Sequence, residues 1–280
     1  MSSPGTARPS AYAAESASGA NPGFDLAIDL QRVSKTFPTE EGGRTGIRDI
    51  TLRVARGEMI CIVGPSGCGK STVLNLVAGL LTPEAGNIDF GGATRDAIAA
   101  HHIGYMLARD SLLPWRTARA NVELALEIRH RQGVDSSARH ARAEELLALV
   151  GLEQSGALYP RQLSQGMRQR VAIARTLACD PEIFLMDEPF GALDAQTRRL
   201  IHEEFLRIWS MSRKSVLFVT HDLMEALVLG DRVIVINGRP GTIVADYSVD
   251  IPRDQRLGSG AFAPRLMELH EDLWRKLRQS

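Results

Sequence analysis

Cysteine, net charge and long apolar runs are all scarce in this chain, and each scarcity removes a class of protein from consideration. The three cysteines, Cys61, Cys68 and Cys179, are too few and too scattered for a disulfide framework or a four-ligand zinc site, and each lies in an apolar or glycine-rich context. A reducing, cytoplasmic compartment fits that usage. The 33 basic and 33 acidic residues cancel, so the composition offers no electrostatic footprint for nucleic acid or an anionic membrane surface, and no nucleic-acid partner is expected. No apolar run approaches the roughly 18 residues that a bilayer crossing needs, and the N-terminus has neither the basic patch nor the apolar stretch of a secretory signal. A membrane would be touched, not crossed. What is present is 280 residues at 44% hydrophobic, enough to bury a sizeable core in one large α/β domain or two small ones.

Residues 1–23 are dominated by Ser, Ala, Gly and Pro, with little to offset the entropy of ordering them, and read as a disordered tail. Residues 24–248 read as the main domain. β-like runs appear at Leu26 to Val33, Ile50 to Val54 and Met59 to Val63, the last nearly all apolar, as a buried central strand requires. A Gly-rich loop follows, then a helix from near Lys70. About residues 96–160 change character: LALEIRH and ARAEELLALV carry apolar residues at helical spacing with few β-branched ones, so this stretch reads as a helical insertion within a helical subdomain over about 96–180. Beyond it the pattern predicts a helix over Gln165–Ala178, a strand EIFLMD, a helix over Ala195–Met211, a strand SVLFVT, a short helix and a strand RVIVI. Alternating strands and helices predict a parallel or mixed sheet covered on both faces. In a C-terminal extension over 249–280, Leu266, Leu269, Leu273, Trp274 and Leu277 fall on one helical face, as expected of an amphipathic helix docked on its parent domain.

GPSGCGKS, Gly64 to Ser71, has two glycines at the P-loop spacing followed by Lys and a hydroxyl residue. Gly64, Gly67 and Gly69 let the backbone wrap with its N–H groups inward, the helix N-terminus adds positive potential, Lys70 is a point charge for the β and γ phosphates, and Ser71 can ligate Mg²⁺. By chance the pattern arises in roughly one chain of this length in a hundred. Its place between a buried strand and the apolar helix STVLNLVAGLL is the context the mechanism requires. IFLMDEP, Ile183 to Pro189, is an apolar strand ending in two carboxylates. Acids commonly open the turn after a strand. Beside a P-loop, however, Asp187 is placed to hold Mg²⁺ through water and Glu188 to polarise the attacking water, so hydrolysis is expected rather than binding alone.

LSQGMRQRVAIARTL, Leu163 to Leu177, just upstream of that strand, resembles the signature motif of ABC transporter nucleotide-binding subunits, and the resemblance runs from Leu26 to about Asp246. A P-loop alone leaves kinases, GTPases and helicases open; this motif largely closes them. The resemblance implies a RecA-like P-loop NTPase core of the α/β class, an antiparallel β subdomain and a helical signature subdomain. It also implies ATP and Mg²⁺ as cofactors, with the nucleotide contacted by Phe37 and by Gly64, Pro65, Ser66, Gly67, Cys68, Gly69, Lys70, Ser71 and Thr72. Ser164, Gln165 and Gly166 would meet the γ-phosphate held by a second copy, and Asp194 in GALD would lie in the loop that crosses that dimer interface. His221 in FVTHD falls at the family's switch histidine. Physically, Ser164 also reads as the N-cap of the helix that follows, whose N–H groups suit an anion; otherwise Arg168, Arg170 and Arg175 make it a plain Arg-faced amphipathic helix. Phe37 either stacks on adenine or is a strand-end core residue. His101, His102, His130, His140, His202 and His270 carry no such support and read as solvated.

Two departures from the family pattern stand out. The glutamine of the family's Q-loop is replaced by Ala108, followed by Arg109 and Asp110, leaving two readings open: Asp110 takes over through water, or the metal contact is absent. Gln165 and Met167 replace the commoner Gly and Gln, which, with SLLPWRTARANVEL, is similar to the nitrate, sulfonate and taurine importer branch. There, Leu112, Leu113, Pro114 and Trp115 either form an outward apolar knob for a membrane subunit or pack inward. The resemblance thus implies a peripheral subunit on the cytoplasmic face of the cell membrane. Its partners would be a second copy of itself and permease subunits, with a solute-binding protein met indirectly.

Overall fold

The computed structural model describes residues 25–40, 44–91, 93–94, 103–107, 111–129, 135–191, 193–212, 214–256 and 263–278. In chain order the elements are strands β1 (Leu26–Pro38), β2 (Arg44–Ala55) and β3 (Met59–Val63), helix α1 (Lys70–Val77), and strands β4 (Ala85–Phe90), β5 (Ala93–Thr94) and β6 (Ile103–Met106). Helices α2 (Ala118–Arg129), α3 (Ser136–Leu149) and α4 (Gln165–Ala178) follow, then β7 (Ile183–Asp187), α5 (Ala195–Ser212), β8 (Ser215–Thr220), α6 (Leu223–Leu229), β9 (Arg232–Gly238), β10 (Gly241–Ser248) and α7 (Ala263–Arg278). The chain divides into two compact units, residues 1–97 with 217–280, and residues 98–216. The expected disordered tail, and Ala108, Arg109 and Asp110, lie outside the described residues.

In the first unit the strand order is β5-β4-β1-β2-β10-β9-β3-β8. β1 pairs antiparallel with both β2 and β4. β9 turns back antiparallel into β10 and runs parallel to β3, giving a mixed sheet. Ile50, Leu52 and Val54 alternate inward along β2, while all five residues of β3 are buried, the patterns of a one-sided and a fully covered strand. Arg232 staples the centre: it is 5% exposed and pairs with Glu58 at 3.0 Å and Asp246 at 2.6 Å. On α7, Leu266, Leu269 and Leu273 are buried, each worth about 2 kcal/mol of apolar burial. Trp274 is not on that face: it is 53% exposed, because one residue beyond Leu273 turns it about 100° away.

The second unit carries β6 parallel to β7, with Ile103 opposite Ile183 and Met106 opposite Met186. Strand β6 lies within the stretch that sequence pattern assigns to a helical insertion; four residues are too short to register a period, and pairing with β7 specifies the strand. Helices α2 and α3 fall where LALEIRH and ARAEELLALV predict them, and α4 packs against both. Gly104 lets β6 approach, since a β-carbon there would lie 2.7 Å from Pro181 and 3.0 Å from Thr176. Among the described residues no helix is long and apolar enough to cross a membrane.

Candidate functional site

The loop Gly64–Gly69 leaves the buried end of β3 and enters α1. Its first residue has to be glycine, because a β-carbon at Gly64 would sit 2.1 Å from the Ile236 carbonyl oxygen and 2.7 Å from Cys68 Sγ. Gly67 and Gly69 have φ of 81° and 96°, in the left-handed region that side-chain-bearing residues avoid. The carbonyls are then claimed one after another. Lys70 Nζ donates to Gly64 O at 2.8 Å and to Pro65 O at 3.1 Å. Arg239 donates to Ser66 O at 3.1 Å, and the Thr45 hydroxyl to Gly67 O at 3.1 Å. Gly241 presses on Cys68 O so closely that a β-carbon there would lie 1.9 Å away. The Cys68 N–H closes back on Pro65 O at 3.3 Å, and the N–H groups at the start of α1 suit an anion. The N-cap of α1 is Gly69, and no side chain caps it, so the first-turn N–H groups and the helix dipole face the same ligand.

The buried cation, the glycine turns and the uncapped helix start suit the phosphates of a nucleoside triphosphate. Lys70 is 7% exposed, while Ser71 presents an exposed hydroxyl on the first turn and Thr72 is half-buried. Cys68 is 1% exposed, and burial pushes its thiol up despite the charges of Lys70 and Arg239, so it is a protonated, inert part of the wall. Phe37 is half-buried at the end of β1, directly across from Thr45, the residue that holds Gly67 O. Lys35 Nζ lies 5.6 Å from its centroid.

His221 is exposed in the turn between β8 and α6. That turn is tightly held: the Asp222 N–H donates to Thr220 Oγ1 at 3.0 Å, and Asp222 Oδ1 caps α6 by accepting from the N–H groups of Met224 at 2.9 Å and Glu225 at 3.1 Å. The helix after His221 therefore starts at a fixed place.

In the second unit, four buried residues of β7 lead to half-buried Asp187 and Glu188. Glu188 has φ 45°, the left-handed region for a residue with a β-carbon. Behind it Phe190, fully buried, packs edge-on against His202 at 5.0 Å and Phe205 at 6.0 Å. His202 is 7% exposed, which corrects its reading as a solvated residue: it is part of the wall that holds the turn after Glu188. Gln169, buried in α4, hydrogen-bonds the Pro189 carbonyl, a link that nothing in the sequence pattern signals. Burial raises the Tyr105 hydroxyl far above its ordinary value, and the Asp187 charge adds to this, so Tyr105 stays neutral beside that carboxylate.

Ser164 is the N-cap of α4, with Oγ accepting from the Met167 N–H at 3.2 Å. Ser164 and Gln165 are exposed, whereas Gly166 is buried: a β-carbon there would meet Thr197 Cγ2 at 2.8 Å. Asp194 Oδ1 accepts from the Thr197 N–H at 3.0 Å, a bond that holds its carboxyl below the usual range. The starts of α4 and α5 thus come together at Gly166 and Thr197, with Ser164 and Asp194 as their caps. Arg168, Arg170 and Arg175 do not form a free cationic face, for their guanidinium groups reach the carbonyls of Leu163, Val150 and Ser111.

Leu112 is buried, Leu113 half-buried, and Trp115 71% exposed, so the apolar knob divides: its leucines pack inward and its tryptophan points out. The sequence does not flag what fixes it. Asn121, fully buried, donates from Nδ2 to the carbonyls of Leu113, Arg116 and Thr117, at 3.2, 3.1 and 2.9 Å, and accepts the Leu113 N–H at 2.8 Å.

Comparison with known proteins gives the chain's family. Residues 47–191 match the family described as ABC transporter. The chain is 42% identical to the nitrate import ATP-binding protein NrtD of Synechocystis sp. over 228 residues, covering 81% of this chain and 84% of that one. It is also 42% identical to the taurine import ATP-binding protein TauB of Rhizobium johnstonii over 239 residues, 82% of this chain and 89% of that one. Among solved structures it resembles the dimeric ATP-binding cassette MJ0796 in a post-hydrolysis state bound to ADP and Pi, with a TM-score of 0.71 and 32% identity over 80% of this chain and 100% of that one.

Proposed function

Because the chain belongs to the ABC transporter family, we propose that it is the ATP-hydrolysing subunit of an importer, working as one half of a head-to-tail dimer that closes on two ATP molecules. The observation that carries this reading is the loop Gly64–Gly69, whose carbonyls accept from Lys70, Arg239 and Thr45 while an uncapped helix start offers its N–H groups for phosphate. Lys70 and the loop amides hold the β and γ phosphates, with Pro65, Ser66, Cys68 and Thr72 shaping the cradle. Phe37 stacks on adenine. Ser71 and Asp187 offer the hard oxygen ligands that suit Mg²⁺, which when bound offsets charge developing on the phosphates. Glu188 orients and polarises the attacking water, and His221 helps secure the γ-phosphate. Ser164, Gln165 and Gly166 complete the site of the second copy, and Asp194 lies at that interface.

In this reading the contact for a membrane-embedded permease is exposed Trp115 and Pro114, backed by buried Leu112, and the chain works peripherally at the cytoplasmic face of the cell membrane. A solute-binding protein meets the assembly only through the permease. The cargo class is a small anionic or zwitterionic solute, following the nitrate and taurine that the relatives' names give. The test is to tag the Glu188→Gln chain and purify it from membranes with and without Mg·ATP. The expected result is an ATP-stabilised dimer that does not turn over and brings a multi-spanning permease with it. A soluble dimer with no membrane partner would overturn the importer reading, and undiminished hydrolysis would remove Glu188 from its role.

A further inference from the structure

Arg239 stands in the turn between β9 and β10, far in sequence from the loop that its guanidinium touches. Besides donating to Ser66 O at 3.1 Å, the group lies over Gly67: a β-carbon built there would meet a terminal nitrogen at 3.4 Å and the central carbon at 3.7 Å. The side chain is exposed, and among the described residues no carboxylate lies within ion-pair distance of it. A guanidinium is permanently charged, and here its charge is fixed against the apex of a phosphate-binding loop with no carboxylate of the described residues paired to it. Its reach is visible at Cys68, where burial raises the thiol and the Lys70 and Arg239 charges both oppose that rise.

We infer that Arg239 is a positioning residue for the nucleotide phosphates: it pins the Ser66 carbonyl to the outer side of the loop, keeping the loop N–H groups turned toward the phosphates, and adds a second fixed positive charge to that of Lys70. The inference rests on the reading of Gly64–Ser71 as the phosphate site. A residue that merely latched the β9–β10 turn would work through shape, and its loss would be insensitive to salt. A residue that works through charge acts over a distance set by screening, and its loss fades as salt rises.

The experiment is equilibrium binding of Mg·ATP to the full-length chain and to Arg239→Ala, Arg239→Gln and Arg239→Lys, at about 0.05 M and about 0.5 M salt, where the screening length falls from ~14 Å to ~4 Å. Thermal midpoints check that each variant is folded. Arg239→Ala and Arg239→Gln are expected to raise Kd about tenfold at low salt and only about threefold at high salt, with Arg239→Lys recovering most of the affinity. In turnover the loss is expected in KM rather than in kcat. A Kd within about twofold of the parent at low salt for Arg239→Ala, or a lysine variant as weak as the alanine one, would overturn the inference while leaving the phosphate site intact. A parent chain that fails to bind Mg·ATP would instead bring down the reading of the loop, and the inference with it.

Discussion

Glu188 occupies a backbone region that residues with a β-carbon enter at a cost of about 1–2 kcal/mol, and it does so at φ 45° directly after a buried strand. Its neighbours enforce the geometry: the Gly191 N–H closes on Glu188 O at 3.2 Å, Gln169 holds the next carbonyl, and Phe190 is sealed among His202 and Phe205. Strain held in this way aims a carboxylate where a relaxed turn would not. Removing both the carboxylate and the β-carbon should therefore stabilise the fold while ending hydrolysis. Glu188→Gly is expected to raise stability by about 0.5–1 kcal/mol over Glu188→Ala, after glycine's extra unfolded-state entropy is offset, and both should be inactive. Thermal unfolding of the two variants side by side checks this. Equal midpoints would mean that the turn is not strained by its side chain.

Among the elements, the turn over residues 113–117 depends on Asn121, whose buried amide makes four bonds to it. Asn121→Ala leaves buried backbone groups without partners and should cost about 2–4 kcal/mol in chemical unfolding, and it should release Trp115. An unfolding free energy equal to the parent's would show that Leu112 and Arg175 hold the turn without the asparagine. The strands and helices with strong periods, such as β3, α4 and α5, were legible in the sequence because burial on one or both faces writes itself into residue order. β4, β6 and β10 were not. Residues Ile103–Met106 are too few to show alternation, and AGNIDF carries Gly and Asn that read as turn, so their strand state comes from pairing across the sheet. The site divides in the same way. The glycines, Lys70 and the two carboxylates were legible as a contiguous motif, whereas Thr45, Gln169, Arg239 and Gly241 act on it from distant positions and have no local pattern to announce them. His202 shows the converse limit: a polar residue in a helix reads as solvated until the aromatic it packs on is located.

At the scale of the whole molecule, the loop Gly64–Ser71 and the exposed cap Ser164 belong to different compact units of one chain. The head-to-tail reading assigns each nucleotide one loop from one copy and one cap from the other, so the two defects should complement each other in trans. Lys70→Ala removes the loop's cation, and Ser164→Tyr fills the exposed cap, so each homodimer carries two dead sites. Random mixing makes half the dimers mixed, and each mixed dimer has one site with both lesions and one with neither, so about one quarter of parental ATPase activity is expected to return. The rate is measured after unfolding and refolding the two inactive chains together, against each refolded alone. If the mixture stays as inactive as its components, the loop and cap do not meet across two copies, and catalysis would have to be completed within one chain. Recovery that falls on dilution would further tie the activity to association, since mass action then sets the fraction of completed sites.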